Sequence, residues 1–391
     1  MRYLILFIFS IFVVLTGCQK DPVNAVAPDD QAESEVLLAK RFVPQGLTVM
    51  TRNVYVGTDV DVVLAANDPN EIPFLVAEAF GLLQFTDFPT RAELLVNEIE
   101  VAQPHLIGLQ EISLIRYQSP GDLVIGGTMP AEAVLYDYLA ILMEALNNRG
   151  LNYKVAGMVQ NADVELPMIA GMDGDIPLFD DVRLTDFDVV LVRSDVNVIS
   201  VRTGNYKVML QVPAAGISVP RGYVITDVKI DGRKYCFVDT HLEPAPIPEL
   251  LPIQLAQAQE LVKKIHQCGK PIILVGDFNS VAPYGETYQF LMSQGYADAW
   301  IESNSTENGF TYGHDYNLIN PDANFWERID FIFVRNKQNA DGIGPVVAEV
   351  VGDESENRAE LPTGERLWPS DHGGVVAQLE LPLESGTVAS K

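Results

Sequence analysis

The stretch Ile272-Ile273-Leu274-Val275-Gly276-Asp277-Phe278-Asn279-Ser280 runs from an apolar segment straight into two polar side chains spaced two apart. Four apolar residues in a row, closed by a glycine, fit a short strand buried on both faces. Side chains alternate along a strand, so Asp277 and Asn279 point at one spot while Phe278 packs elsewhere. A carboxylate and an amide brought together in this way suit the activation of a water beside a phosphate. The same rule, an apolar strand ending in polar residues, recurs at Val49-Met50-Thr51-Arg52-Asn53 and at Leu106-Ile107-Gly108-Leu109-Gln110-Glu111. It appears again at Cys236-Phe237-Val238-Asp239-Thr240-His241, at Arg328-Ile329-Asp330-Phe331-Ile332-Phe333-Val334, and is followed by Ser370-Asp371-His372. Six polar strand ends, two of them bearing histidine, read as one assembled site.

The order Asn53, Gln110-Glu111, Asp239-x-His241, Gly276-Asp277-x-Asn279, Arg328-x-Asp330, Ser370-Asp371-His372 resembles the endonuclease/exonuclease/phosphatase superfamily. The resemblance covers roughly residues 45 to 382. Gly-Asp-x-Asn and Ser-Asp-His are each short and unspecific, but their order and spacing together are not. The resemblance implies an α/β fold, a four-layer sandwich of two packed mixed β-sheets flanked by helices. It also implies a metal-dependent phosphoric ester hydrolase.

The periodicity allows that architecture. Apolar residues at intervals of three and four predict helices over 91–102, 131–148 and 248–267. The last two close on Gly150 and on Gly269-Lys270-Pro271, which act as stop signals. Strands are expected over 48–53, 106–110, 153–158, 188–193, 222–230, 234–240, 272–275, 329–334 and 374–381, with Asp231-Gly232 as a tight hairpin turn. So many mixed strands with few helices do not favour a strictly doubly wound parallel sheet. No Pro/Gly/Ser-rich linker divides the chain after the N-terminal region, and the polar clusters come from both halves. One domain over 46–384 is expected, followed by a short tail over 385–391.

The N-terminus points to export. Arg2 precedes an apolar run over 3–14, short for a bilayer span and typical of a signal-peptide core. Leu15-Thr16-Gly17-Cys18 resembles the bacterial lipoprotein processing box, which makes Cys18 the lipidated residue of a signal segment over 1–18. Gln19 resembles the pattern of lipoproteins sent to the outer membrane. The acidic, Ala- and Pro-bearing stretch over 19–45 reads as a flexible tether. The expected location is the bacterial cell envelope, with the membrane engaged through the lipid.

Hydrophobic residues make up 48% of the chain and charged residues 20%, enough for a sizeable core. The balance of 26 basic against 53 acidic residues gives a formal charge of −27, which repels polyanions at long range. This disfavours a nucleic acid partner, and no protein partner is evident. With Cys18 assigned to lipid, Cys236 and Cys268 remain, and a disulfide or two buried thiols fit equally well.

Phosphate ester hydrolysis needs a metal to neutralise anionic oxygens, a positioned water and help for the leaving oxygen. Carboxylate and amide ligands suit Mg²⁺ or Mn²⁺. Glu111 is the best metal ligand, with Asn53 beside it, and the resemblance adds Asp371 as a second-site or outer ligand. His372 is expected as general base or phosphate contact, with Asp330 accepting its other ring proton. Asp277 orients or deprotonates the water, and Asn279 donates to the phosphoryl oxygens. Thr240-His241-Leu242 resembles the deoxyribonuclease, sphingomyelinase and phosphoinositide phosphatase branches, where the histidine contacts the phosphate or protonates the leaving group. Asp239 is expected to support the strand end. Arg221, before a strand, is a candidate cation for the phosphate, and His314 in Thr311-Tyr312-Gly313-His314-Asp315 a candidate substrate contact. His105 and His266 have weaker claims.

Two long connections set this chain apart from a minimal member, one over 55–89 and an acidic one over 160–187. Both carry apolar residues that suit a lipid headgroup or other amphiphilic phosphate ester, or alternatively a satellite core. The reading is a phosphodiesterase acting on lipid headgroups or small phosphoesters. A membrane-anchored nuclease shares the catalytic set but lacks an evident basic strip. A catalytically inactive binding module would show losses at the key positions, and none is seen.

Overall fold

Alternate residues of the central strands go to different cores, which is why these strands read as apolar runs. Val49 lies in one cluster and Met50 in another, while Ile273 and Val275 lie between the sheets and Ile272 and Leu274 on the far side. The computed structural model describes residues 46–66, 68–212, 216–303, 305–336, 344 and 346–381. The expected signal segment with Cys18, the tether over 19–45 and the tail over 385–391 lie outside them.

In chain order the strands are β1 (Leu47–Asn53), β2 (Leu106–Gln110), β3 (Leu114–Gln118), β4 (Ala133–Asp137), β5 (Tyr153–Asp173) and β6 (Ile176–Arg193). Next come β7 (Asn197–Asn205), the hairpin β8 (Leu210–Val212) and β9 (Ile217–Val219), β10 (Gly222–Ile230), β11 (Arg233–His241) and β12 (Ile272–Asp277). The last are β13 (Ala297–Asp298), β14 (Asp330–Arg335), β15 (Val346–Val351), the hairpin β16 (Ala359–Glu360) and β17 (Arg366–Leu367), and β18 (Gly374–Leu379).

Eight of these strands form one mixed sheet in the order β15-β18-β1-β2-β6-β3-β4, with β5 paired along β6. Six form a second, in the order β13-β14-β12-β11-β10-β7. The two sheets pack face to face through Val49, Leu106 and Val190 of the first and Phe237, Val275 and Ile332 of the second. Helices Phe88–Ala102 and Tyr138–Asn148 cover the outer face of the first sheet. Helices Leu251–Ile265 and Glu286–Ser293 cover the outer face of the second. The result is the expected four-layer sandwich.

This topology decides where the site lies. β1 and β2 run parallel, as do β11 and β12, so Asn53 sits beside Gln110 and His241 beside Asp277 at matching strand ends. β14 runs antiparallel to β12 and opens with Asp330 directly opposite Asp277. β18 runs antiparallel to β1, so Ser370-Asp371-His372 just before it reaches the same edge. Gly276 has φ +145°, and a Cβ there would run into the Thr240 carbonyl, so the strand end needs glycine.

Several elements differ from the sequence expectations. The helix expected over 131–148 begins only at Tyr138, because Asp137 caps it by accepting from the Ala140 N–H at 3.0 Å. The preceding residues instead form β4, paired with β3. The acidic connection over 160–187 is an antiparallel hairpin, β5 and β6 turning at Gly174 with φ +60°. Val164 and Leu166 alternate with Asp163 and Glu165 there, the pattern of a strand with one face covered. The insertion over 55–89 contains helices Asp61–Leu64 and Ile72–Phe85. It packs on the hairpin through a satellite cluster of Val63, Ile72, Val76 and Met168. Cys236 and Cys268 are placed as a disulfide pair with Cα atoms 6.4 Å apart, within ordinary disulfide reach. No helix among the described residues is long and apolar enough to cross a membrane.

Candidate active site

Asn53, the last residue of β1, is fully buried and held from several sides. Its Oδ1 accepts from the Tyr55 N–H at 3.0 Å. Its Nδ2 donates to Glu111 Oε1 at 2.9 Å and to Asp277 Oδ2 at 3.2 Å. Glu111 follows β2 with φ +61°, a left-handed angle that costs a non-glycine residue of order 1 kcal/mol. That angle turns its carboxylate back over Asn53, where Oε2 accepts from the Val56 N–H at 2.7 Å. A buried Arg91 from helix Phe88–Ala102 donates to the carbonyls of Val54, Tyr55 and Pro369, tying the loop after β1 to the loop before Ser370. Ser370 Oγ in turn donates to the Asn53 carbonyl at 2.8 Å.

Beside them stand Asp277 and Asp330 of the second sheet and His372, which leads into β18 of the first. His372 Nδ1 lies 2.9 Å from Asp330 Oδ2, and the same oxygen accepts from Thr311 Oγ1 at 2.7 Å. The other Asp330 oxygen is buried and without a hydrogen-bond partner. His372 Nε2 lies 3.9 Å from Asp277 Oδ2. Burial alone would lower the imidazole pKa, but the carboxylates of Asp330 and Asp371 overcome it and push it up to about 10. Asp277 is pushed up to about 7, by burial first and by the Asp330 charge second. Burial also raises Asp371 to about 7, with Glu111 adding to the shift and His372 opposing it.

His241 faces the same point. Its Nε2 lies 3.5 Å from Asp277 Oδ2 and 3.2 Å from Asn279 Nδ2. Arg221 Nη1 reaches its ring nitrogens at 3.1 and 3.2 Å, and Arg221 Nε lies 3.4 Å from Glu243 Oε2. Burial, then Arg221, then His372 hold His241 well below the usual imidazole range, so its ring is neutral. Asn279, at φ +49°, places its N–H 2.8 Å from Asp277 Oδ1 and fixes that carboxylate. Asp239 accepts from Gln110 Nε2 at 2.7 Å and bridges the two sheets beneath the site.

The structure thus gathers Asn53, Glu111, Arg221, His241, Asp277, Asn279, Asp330, Asp371 and His372 at one edge of the sandwich. The residues from 53 to 372 match the model of the Endonuclease/Exonuclease/phosphatase family. The chain belongs to that family. It is therefore a phosphoric ester hydrolase.

Among solved structures, an Endonuclease/Exonuclease/phosphatase family protein from Bacteroides thetaiotaomicron is similar at 16% identity and a TM-score of 0.52, covering 88% of this chain and 100% of that one. A mannosyl-6-phosphatase from the same organism is similar at 15% identity and a TM-score of 0.50, covering 86% and 100%. At these identities the likeness concerns the fold alone. No curated protein matches the chain in sequence.

His314 is placed differently from the other site residues. Its ring stacks on Trp368 with centroids 4.2 Å apart, lies equally close to Phe325, and accepts from Asn320 Nδ2 at 2.9 Å. Only its backbone N–H, 3.3 Å from the Asp371 carbonyl, joins the site loop. His105 takes the Thr48 N–H on Nδ1 at 3.1 Å and serves the strand edge.

Sequence reasoning missed Asp186 and Asp188. Both are buried and could share a cation with His241, since one ligand atom from each lies within 4.8 Å of the others. Asp277, Asp330 and His372 form a second such group. Asp186-Phe187-Asp188 heads an apolar run, Val189-Val190-Leu191-Val192, and so mirrors the strand-end rule at the opposite end of an antiparallel strand. Glu243, the partner of Arg221, was also missed.

The donor set fits a hard divalent cation. Glu111, Asp277, Asp330 and Asp371 bring four carboxylates together, with His372, Arg221 and Arg91 as nearby cationic side chains. Oxygen donors at such density, one of them an orphaned buried atom of Asp330, match magnesium-type coordination better than zinc.

Proposed function

We propose that this protein is a metal-dependent phosphodiesterase of lipid headgroup or small phosphate esters, working at the bacterial cell envelope. The observation that supports it most is the Asp330–His372–Asp277 array at 2.9 and 3.9 Å, facing Asn53 and Glu111. Glu111 and Asn53, with Asp371 behind them, would hold Mg²⁺ or Mn²⁺, which when bound neutralises the phosphate oxygens. Asp277, pushed up to about 7, is poised to take a proton from water near neutral pH. His372, held cationic by Asp330, contacts the phosphoryl oxygens as negative charge builds. Arg221 and the Asn279 amide supply further donors, and His241, which lies against both, contacts the phosphate or the leaving oxygen.

The domain over 46–384 acts as one catalytic unit. Cys18 carries the lipid and the stretch over 19–45 tethers the domain to the outer membrane. The anchored-nuclease alternative shares every catalytic residue, and the formal charge of −27 stands against it. Hydrolysis of sphingomyelin and plasmid DNA, measured side by side in Mg²⁺ or Mn²⁺ with His241→Ala as control, separates the two. Cleavage of the lipid ester supports this reading, whereas cleavage of DNA alone replaces it with a nuclease.

A further inference from the structure

A cavity of ≈ 190 Å³ opens beside the site, between helix Ile72–Phe85 and the β5–β6 hairpin. Its walls are apolar, formed chiefly by Val76, Phe80, Leu83, Val164, Leu166 and Leu184. Its polar lining includes Glu111, Asp186, Arg221 and Glu243. Arg221 also touches the His241 ring, so one guanidinium borders both the apolar cavity and the hydrolytic centre. The apolar residues of both walls lie outside the catalytic set, and the walls are held together by their own cluster of Val63, Ile72, Val76 and Met168.

We propose that this cavity is a subsite for a compact apolar group esterified to the phosphate, which rests on the hydrolase reading above and narrows its substrate class. The phosphate sits by Arg221 and the carboxylate cluster, and its apolar substituent extends between Phe80 and Leu184. The polar groups set the direction, since Arg221 and a divalent cation held by the carboxylates would take the phosphate at the polar end, and the apolar walls fit only the organic part. The volume sets the size. A dry cavity of about 150 Å³ takes one benzene, so ≈ 190 Å³ takes one aromatic ring or about six methylenes. A long acyl chain would leave most of its length outside.

The test is equilibrium binding, which does not depend on turnover. Methyl-, butyl-, hexyl- and decylphosphonate, below their aggregation limits and with Mg²⁺ present, are titrated into the purified protein by calorimetry. Each buried methylene tightens binding by about threefold to fourfold at most, and the cavity is partly open. The expected result is a Kd at least about tenfold lower for hexyl- than for methylphosphonate, with little further gain for decyl. Val164→Trp, which fills the cavity, flattens this gradient, and Phe80→Ala, which enlarges it, moves the plateau to longer chains. A Kd independent of chain length in the unmodified protein, or no binding of any member, overturns the subsite. Loss of phosphoester turnover in the lipid and DNA assay would instead remove the hydrolase reading, so the two failures are distinguishable.

Discussion

Asp330 touches no substrate atom in the proposed arrangement, yet it sets the charge state of two residues that do. Its carboxylate raises the pKa of both Asp277 and His372. The rate is therefore expected to rise with pH as Asp277 ionises near 7 and to fall as His372 loses its proton near 10. Asp330→Asn removes the shared cause, so both limbs of the kcat/KM profile should move to lower pH, and kcat should fall by about a hundredfold. A profile whose limbs stay in place would show that Asp330 does not act through these groups. His314 gives a second prediction at this scale. Burial first, then the charge of Arg52, lowers its pKa to about 3. The unfolded chain then binds one more proton than the folded protein between about 3 and the ordinary imidazole value near 6.5. Stability is accordingly present above that window and lost as pH falls through it, at up to about 1.4 kcal/mol per pH unit. His314→Gln should flatten the acid limb of denaturant-derived stability across that range, and an unchanged slope would exclude His314 as the source. Most of the cluster was legible from sequence because each residue lies at one end of an apolar run, as Asp277 closes Ile272 to Val275 and Asp330 opens β14. The packing of His314 was not legible, because a histidine in a polar loop carries no sign that Trp368 will stack on it. The positive φ of Glu111 and Asn279 left no trace in a sequence reading.

At the scale of elements, β1 is locked to helix Phe88–Ala102 by a buried ion pair. Arg52 Nε and Nη2 donate to Glu98 at 3.0 and 2.8 Å, while Arg52 Nη1 donates to the His372 carbonyl. Glu98→Ala would leave a buried guanidinium half-paired, with an expected cost of about 3 kcal/mol. It should also loosen the His372 backbone, so thermal unfolding and kcat should both fall. A change in Tm below about 2 °C would contradict this account of the pair. The elements that sequence reading placed well are those whose two faces are both buried, or whose stop signals are explicit, such as β12 and the turn at Asp231-Gly232. The β5–β6 hairpin was hidden because its acidic residues, among them Asp163, Glu165, Asp180 and Asp181, broke the apolar count. The alternation of Val164 and Leu166 was the surviving signal. The strand β4 was absorbed into the helix after it because Val134, Leu135 and Tyr136 also satisfy a helical period.

At the scale of the molecule, two sheets place residues that are distant in sequence at one edge, and the chain as a whole is strongly acidic. A formal charge of −27 should keep nonspecific duplex DNA from binding measurably at physiological salt when metal is chelated. Fluorescence anisotropy with a labelled duplex would show this, and a micromolar Kd would contradict it. The layered architecture was legible chiefly through the family resemblance, since the pattern of mixed strands and few helices only allowed it. The packing of the insertion onto the hairpin was not, since it depends on contacts between segments that each read as loops. The central claim is that the Asp277–Asp330–His372 array hydrolyses phosphate esters with a metal held by Glu111 and Asn53. The most direct measurement is turnover of bis(4-nitrophenyl) phosphate by the purified protein before and after EDTA, with Mg²⁺ and Mn²⁺ added back, alongside Asp277→Ala and Glu111→Gln. The account predicts activity lost to EDTA and restored by either ion, a drop of at least about a hundredfold for Asp277→Ala, and a higher metal requirement for Glu111→Gln. Turnover insensitive to EDTA, or a near-normal rate for Asp277→Ala, would contradict it.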